Sequence, residues 1–206
     1  MPYTLYVVTD DRLSNGLSHI EVAKAALEGG ADVVQLRVKD RDDDFFLKTA
    51  RAISDISRHY DSLFIVNDRI DIALASDANG VHLGQTDIPV KVARGIATND
   101  FIIGASVNNV KEALLAEKEG ADYVALSPVF DTTSKDNAGS GHGLKEMRRI
   151  KDEISIPALA IGGINKQNAL SVFDAGADGI AVISAVVSQP DITMATRELK
   201  ALIGHR

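Results

Sequence analysis

The sequence of 206 residues contains no cysteine. That absence excludes disulfide bonds, thiolate nucleophiles, and zinc or iron–sulfur sites built on cysteine. A chain without disulfides suits a reducing compartment, so we expect a cytoplasmic protein. Apolar runs of roughly 20 residues, the length needed to cross a bilayer, are also lacking, and the start MPYTLYVVTD has neither the basic residues nor the apolar stretch of a secretory signal. We therefore expect a soluble protein.

Positive charge is also in short supply. The formal net charge is -7, with 22 Lys and Arg against 29 Asp and Glu, and the sequence has no local basic patch. Because nucleic acids and anionic membranes would repel such a chain, we expect neither as a partner. The sequence does not report the oligomeric state, so a homo-oligomer stays open.

The chain is too short for two ordinary enzyme domains, but its 45% hydrophobic content is enough for one substantial core. Since no linker or low-complexity segment divides it, we expect residues 1–206 to form one domain. Short β-rich apolar runs alternate with segments of helical period, a pattern typical of parallel sheets with helical crossovers. The runs that qualify as strands are 5–8, 33–36, 63–66, 80–83, 101–105, 123–126, 158–161 and 179–183.

Eight strands alternating with helices in about 200 residues predict an α/β fold, a single (βα)8 TIM barrel. An open doubly wound sheet is the alternative, but the first predicted strand is followed by TDDR at 9–12 and not by G-x-G-x-x-G. A Gly-Ala-Asp triplet recurs between a helix and the next strand, at 30–32, 120–122 and 176–178. Its glycine suits the positive φ of a helix end, and its alanine allows close packing as the strand begins.

Polar residues follow the second predicted strand, at the barrel end where active sites of this fold lie. Alternation directs Gln35, Arg37 and Lys39 to one side of the chain, and Leu36 and Val38 to the other. Two cations inside a closed barrel need an anion, because desolvated charge must be paired. A phosphate group of a ligand would supply it.

Two aspartates, Asp68 and Asp87, follow the third and fourth predicted strands. Carboxylate oxygens suit Mg²⁺ held jointly with substrate phosphate, since this ion keeps several waters and rarely sits in an all-protein cage. Two alternatives stay open: the aspartates cap the helices that follow, or they form ion pairs with Arg37 and Lys39. Asn67 is as good a cap as Asp68.

The seventh and eighth predicted strands end in residues typical of a phosphate site. Gly162 and Gly163 follow the seventh, Ile183 and Ser184 end the eighth, and each pair precedes a helix start. In TIM barrels these two loops receive a phosphate on backbone N–H groups at a helix N-terminus. A tight turn would also explain the two glycines, but the serine one strand later favours the phosphate site.

The longest loop, 131–143, follows the sixth predicted strand. Its hydroxyls at Thr132, Thr133 and Ser134, followed by Lys135, are suited to clasp a phosphate, and its glycines would let it open and close. A solvated surface loop explains the composition nearly as well. The histidines have no serine or metal-ligand partner at diagnostic spacing, so we assign them no chemistry.

Seven strings at these strand ends resemble those of the thiamine-phosphate synthase family, over nearly the whole chain. They are QLRVK at 35–39, VNDR at 66–69, GVHLGQ at 80–85, GAS at 104–106, PVF at 128–130 with the lysine at 135, AIGGI at 160–164 and AVIS at 181–184. The resemblance implies a transferase that joins a hydroxymethylpyrimidine diphosphate to a hydroxyethylthiazole phosphate and releases diphosphate. Mg²⁺ is the only cofactor that it implies.

The resemblance also implies roles for individual residues. Asp68 and Asp87 are expected to hold the metal, and Arg37, Ser106 and Lys135 to act in catalysis. The residues expected to contact the pyrimidine diphosphate are Gln35, Arg37, Lys39, Asn67, Ser106 and Lys135. Those expected to contact the thiazole phosphate are Thr132, Ser134, Gly163, Ile183 and Ser184, and the substrate-binding set also includes Leu36, Val38 and Thr133.

The sequence departs from the family at a few positions. Ser127 and Asp131 stand where glycine and proline are usual, which bears on the loop and not on the reaction class. The closest rival is thiazole tautomerase, an isomerase on the same barrel, which carries a histidine where this chain has Asn108. A barrel that binds a phosphorylated ligand without turnover is the non-catalytic alternative.

Overall fold

The computed structural model describes residues 4–132 and 141–204, and within them eight parallel strands close into a barrel. The strands are β1 (Leu5–Val8), β2 (Val33–Leu36), β3 (Leu63–Asn67), β4 (Gly80–Leu83), β5 (Ile102–Val107), β6 (Tyr123–Leu126), β7 (Ala158–Ile161) and β8 (Gly179–Val182). Each strand pairs with the next in chain order, and β8 pairs with β1. The predicted TIM barrel is confirmed.

Helices cover the outside of the barrel. They are α1 (His19–Glu28), α2 (Asp43–Ser57), α3 (Ile70–Ala75), α4 (Val90–Ile96), α5 (Val110–Lys118), α6 (Gly143–Glu153), α7 (Ala169–Asp174), α8 (Ser184–Val187) and α9 (Ile192–Ile203). Strand β5 extends beyond its predicted end at 105, because Ser106 and Val107 still pair with β6. In the described part of the chain, every helix is too short or too polar to span a bilayer.

The Gly-Ala-Asp triplets lie at the barrel end where the strands begin. Gly30, Gly120 and Gly176 have φ angles of 90°, 96° and 91°, as predicted for glycines that end helices. In each triplet the aspartate Oδ2 accepts a hydrogen bond of 2.7–2.8 Å from a backbone N–H at or near the start of the preceding strand. The pairs are Asp32 with Leu5, Asp122 with Ile103, and Asp178 with Ala158. The triplets therefore fasten β1 to β2, β5 to β6 and β7 to β8.

Candidate active site

A pocket opens inside the barrel, towards the carboxyl ends of the strands. Its lining residues are Tyr6, Val8, Gln35, Arg37, Asn67, His82, Tyr123, Ala125, Leu159, Ile161 and Ala181. Three of the predicted substrate-binding residues, Gln35, Arg37 and Asn67, are therefore brought together in one pocket. Apolar walls with a few convergent polar groups are typical of small-molecule sites.

Arg37 forms an ion pair with Asp10, which follows β1. Its Nη1 donates to Oδ2 of Asp10 at 2.8 Å, and the two side chains are only 7% and 9% exposed. The ion-pair alternative paired Arg37 with Asp68 or Asp87. For Arg37 that alternative was therefore wrong, because its partner is Asp10. The signal was in the sequence, since alternation from Tyr6 through Val8 directs Asp10 towards the inside of the barrel. A guanidinium has five N–H donors, so the pair leaves others for a phosphate.

The backbone around Arg37 is held by a second set of contacts. The Arg37 N–H donates to Oγ1 of Thr9 at 3.3 Å, and that oxygen lies 2.8 Å from Nδ1 of His19. His19 is 2% exposed, and its Nε2 is buried 3.8 Å from the Asp11 carboxylate. Burial lowers the pKa of His19 below its ordinary value, and the negative charge of Asp11 partly opposes this shift.

Asp68 and Asp87 lie at the ends of neighbouring strands. Asp68 directly follows β3 with a φ of 65°, and its N–H donates to the carbonyl oxygen of His82 at 2.8 Å. Asp87 follows β4, and its Oδ2 accepts from the Gly84 N–H at 2.6 Å. Helices α3 and α4 begin after Arg69 and Pro89 and have no side-chain cap. The helix-cap alternative was therefore wrong for both aspartates.

The donor chemistry of these two carboxylates fits Mg²⁺. The register pairs Asn67 with His82, so the chain segments that carry Asp68 and Asp87 leave the barrel side by side. The Gly84 N–H orients one oxygen of Asp87, and a cation needs only the other. Within residues 4–132 and 141–204, no third His, Cys, Asp or Glu is grouped with them. Two protein carboxylates, with water and phosphate as the other ligands, form a common magnesium site.

A chain of hydrogen bonds crosses the pocket from β2 to β5. Gln35 Nε2 donates to Tyr6 Oη at 2.9 Å, and this oxygen lies 2.8 Å from Tyr123 Oη. The same Tyr123 oxygen is 3.0 Å from Nδ1 of His82, whose Nε2 is 2.9 Å from Oγ of Ser106. Neither tyrosine was considered from the sequence, and His82 was assigned no chemistry. Strand alternation was the available signal, because all three residues have inward-facing positions.

Gly104 on β5 lets the side chain of Tyr123 reach His82. The register places Gly104 between these two residues, paired with His82 on β4 and with Tyr123 on β6. A Cβ atom on Gly104 would come within 2.1 Å of Cζ of Tyr123. The tyrosine ring instead lies across the glycine and stacks on the imidazole, with ring centroids 5.6 Å apart.

A second pocket lies at the ends of β6, β7 and β8. Its lining residues are Asp131, Thr132, Gly163, Ile164, Asn165, Ser184, Ala185, Ser188 and Gln189. Three residues predicted to contact the thiazole phosphate, Thr132, Gly163 and Ser184, are thus together. Ile183, the fourth described one, directly precedes Ser184, and its carbonyl oxygen accepts from the Val187 N–H at 2.7 Å as α8 begins.

Gly162 and Gly163 pack against the loop that follows β6. Their φ angles are 103° and 65°, as a tight turn requires. Cβ atoms would also collide with that loop, at 2.5 Å from Cβ of Pro128 for Gly162 and 2.6 Å from the carbonyl oxygen of Asp131 for Gly163. The tight-turn alternative is correct for the backbone, but the glycines also allow the two loops to form one pocket.

The two described ends of the 131–143 loop lie close together. Oδ1 of Asp131 accepts from the Gly141 N–H at 2.8 Å, and the Gly143 N–H donates to the Val129 carbonyl oxygen at 2.9 Å. Because Asp131 also lines the second pocket, the loop starts and ends beside it. Thr133, Ser134 and Lys135 lie outside the described residues, and their contacts stay predictions.

Comparison with known proteins identifies the family of this chain. Residues 5–186 match the family model described as thiamine monophosphate synthase. The chain belongs to the thiamine monophosphate synthase family. The predicted reaction class, a transferase that forms thiamine phosphate, is confirmed.

Individual members of this family align over nearly their whole length. The thiamine-phosphate synthase of Methanocella arvoryzae is 54% identical over 205 residues, which cover 100% of this chain and 97% of the relative. The solved structure of thiamine phosphate pyrophosphorylase from Pyrococcus furiosus has a TM-score of 0.91 at 45% identity and covers 99% of this chain and 96% of that one. A 3-hexulose-6-phosphate synthase, 18% identical with a TM-score of 0.72, shares the fold alone.

The other residues predicted from the likeness to thiamine monophosphate synthases have different environments. Ser106 and Lys39 are partly exposed near the strand ends. Leu36 has no exposed surface and lies in the core, and Val38 packs partly buried against that core. Leu36 can therefore contact a substrate only through its backbone. Asn108, at the position of the tautomerase histidine, donates through Nδ2 to Glu112 at 2.8 Å.

Proposed function

We propose that this chain joins a hydroxymethylpyrimidine diphosphate to a hydroxyethylthiazole phosphate, releasing diphosphate, with Mg²⁺ as cofactor. The observation that carries the proposal is the presence of two pockets at the carboxyl end of one barrel. One contains the buried cation Arg37, and the other contains Gly163 and Ser184. A reaction between two phosphorylated substrates needs two such sites close together.

The first pocket is proposed to bind the pyrimidine diphosphate. Arg37 reaches it with a guanidinium that Asp10 holds in place, while Asn67 and Gln35 offer neutral hydrogen-bond donors. Lys39 and Lys135 are proposed to supply further positive charge. Asp68 and Asp87 would hold Mg²⁺, which when bound neutralises charge on the diphosphate oxygens.

The second pocket is proposed to bind the thiazole phosphate. Backbone N–H groups at Gly163 and at the start of α8 suit an anion, and the hydroxyls of Thr132 and Ser184 add donors. Thr133 and Ser134 are proposed to complete this site from the loop. The phosphate would then anchor the thiazole ring beside the first pocket.

No side chain is proposed to act as nucleophile or general base. The family resemblance implies that the carbon–oxygen bond to diphosphate breaks to leave a pyrimidine carbocation, which the thiazole nitrogen captures. Fixed donors and cations would lower the barrier by stabilising charge that grows on the leaving group. Holding both substrates in reacting geometry supplies much of the remaining acceleration.

We also propose a cytoplasmic location, which is supported by the absence of cysteine and by the small-molecule chemistry. Self-association stays a prediction. Exposed apolar side chains of Val92 and Ile96 on α4 and of Leu115 on α5 offer a contact surface for a homo-oligomer. Sedimentation equilibrium of the full chain tests it.

The proposed reaction is tested by incubating the purified chain with both substrates and Mg²⁺. Diphosphate and thiamine phosphate should appear in equal amounts, and only when both substrates and Mg²⁺ are present. Asp68→Asn should raise the Mg²⁺ concentration needed for half-maximal rate.

Lys135→Ala should lower turnover by about 100-fold or more, with little change in melting temperature. The control Lys145→Ala, at an exposed lysine, should leave turnover unchanged.

Other outcomes of this assay favour the rival functions. Isomerisation of a thiazole substrate without diphosphate release would indicate a tautomerase. Binding of both substrates without any turnover would indicate a barrel that only senses its ligands. Either result would contradict the proposed function.

A further inference from the structure

The hydrogen-bond chain between Gln35 and Ser106 begins with a donor, the amide nitrogen of Gln35. Tyr6 Oη accepts from Nε2 of Gln35, which favours donation of its own proton to Tyr123 Oη, because successive hydrogen bonds polarise one another. In that direction Tyr123 donates to Nδ1 of His82, 3.0 Å away. An imidazole that accepts at Nδ1 is neutral and carries its proton on Nε2.

The direction determines what Ser106 presents to the pocket. With its proton on Nε2, His82 donates to Oγ of Ser106 across 2.9 Å. The serine oxygen is then an acceptor in the chain, and its own O–H is directed to another partner. We infer that Tyr6, Tyr123 and His82 are positioning residues that hold the Ser106 hydroxyl as a hydrogen-bond donor to the bound pyrimidine substrate. This inference rests on the proposed function.

Burial makes this chain of hydrogen bonds rigid. Tyr123, Tyr6, Gln35 and His82 are 0%, 1%, 4% and 8% exposed, so little water competes for their hydrogen bonds. Hydrogen bonds in such low-dielectric surroundings are stronger and polarise one another. Ser106 is the partly exposed end of the chain, where a ligand can reach it. Its carbonyl oxygen accepts from Nε2 of Gln85 at 2.5 Å, which fixes the backbone as well.

The consequence for specificity is chemical. A serine that donates selects a substrate atom with a free lone pair, such as a ring nitrogen or a phosphate oxygen. The opposite direction, in which Ser106 donates to Nε2 and Nδ1 carries the proton, would present only an acceptor and would select an N–H group. The two cases differ in one observable, which is the tautomer of His82.

Nitrogen NMR of the full chain reads that tautomer directly. In long-range ¹H–¹⁵N spectra, the His82 signals, assigned by their loss in His82→Gln, should report protonation at Nε2. Tyr123→Phe removes the donor to Nδ1 and should convert them to those of mixed tautomers. Tyr60→Phe, at the other end of the barrel just before β3, is the matched control and should change nothing. A proton on Nδ1 in the wild type, or unchanged signals in Tyr123→Phe, would overturn the inference.

Kinetics separate a positioning role from a structural one. Tyr123→Phe should raise the KM for the pyrimidine diphosphate by about tenfold, which corresponds to one lost hydrogen bond, and leave the KM for the thiazole phosphate unchanged. Tyr6→Phe should act in the same direction. Unchanged KM values in folded Tyr123→Phe and Tyr6→Phe would overturn the inference. Absence of turnover in a wild type with the Nε2 proton would instead refute the proposed function.

Discussion

Arg37 is a buried cation that is neutralised before any ligand arrives. Its partner Asp10 is equally buried, and breaking such a pair typically costs about 3–5 kcal/mol because one charge is left uncompensated. The pair therefore keeps the guanidinium in one position, from which its other N–H groups can meet a diphosphate. Preorganised charge of this kind costs no rearrangement when negative charge develops on a leaving group.

His19 gives the protein a pH-dependent stability. Burial lowers its pKa in the folded state below the ordinary value of 6.5, so the unfolded chain binds a proton more readily. Stability therefore falls as the pH drops through that value. Between about pH 7.5 and about pH 5.5, the free energy of unfolding in urea should fall more in the wild type than in His19→Gln. Exposed His59→Gln is the control, and identical pH slopes for wild type and His19→Gln would contradict the account.

Individual side chains of the pocket were only partly predictable. Alternation from a polar strand end predicted that Gln35 and Arg37 face the same side, whereas Asn67 was predicted from the family resemblance. Alternation also applied to Tyr6 and Tyr123, but a tyrosine in a strand is usually core, and only the structure reveals that the two hydroxyls meet at 2.8 Å. Pairings across the barrel depend on register and tilt, which no local pattern in the chain contains.

At the scale of elements, the Gly-Ala-Asp triplets join helices to strands. Nζ of Lys200 on α9 lies 2.5 Å from both carboxylate oxygens of Asp32, which also accepts from the Leu5 N–H. The other triplet aspartates repeat this arrangement, with Arg94 at Asp122 and Lys151 at Asp178. Each carboxylate thus links two neighbouring strands and one helix.

Removing one of these carboxylates should destabilise the barrel. Asp32→Ala leaves the N–H of fully buried Leu5 without its acceptor. The free energy of unfolding in urea should fall by about 1–3 kcal/mol. Asp100→Ala, on an exposed side chain, should change it by less than about 0.5 kcal/mol. Equal effects of the two substitutions would show that the triplet aspartates do not hold the strands.

The loop after β6 contains a contact that its sequence pattern did not predict. Its polar, glycine-rich sequence predicted a long connection over a phosphate site, and its described ends do lie beside the second pocket. Asp131, which replaces the proline usual in the family, was expected only to alter the loop. Its carboxylate in fact joins the two ends of the loop by accepting from the Gly141 N–H. Such a contact depends on how the loop returns, which composition does not specify.

On the scale of the whole molecule, the residues that stabilise the barrel and the residues of the two pockets lie at opposite ends. The triplets lie where the strands begin, and both pockets lie where the strands end. This division is general for the fold, because the loops after the strands can vary without disturbing the barrel. Closure between β1 and β8 brings Arg37, Asp68 and Asp87 to the same end as Gly163 and Ser184, although these groups are far apart in the sequence.

The architecture was the most predictable part of the molecule. Eightfold alternation and the repeated triplets are local signals that recur, so errors of one or two residues at a strand end did not alter the topology. The choice among phosphate-binding barrels needed the strings at the strand ends, because 3-hexulose-6-phosphate synthase shares the fold at only 18% identity.

The central claim is that one end of this barrel holds two anions of different kinds side by side. A crystal structure of the chain with thiamine phosphate, diphosphate and Mg²⁺ tests it most directly. We predict the diphosphate and the metal against Arg37, Asp68 and Asp87, and the thiamine phosphate group on the backbone of Gly163 and Ser184. Diphosphate bound away from Arg37, or the thiamine phosphate group bound outside the second pocket, would contradict the account.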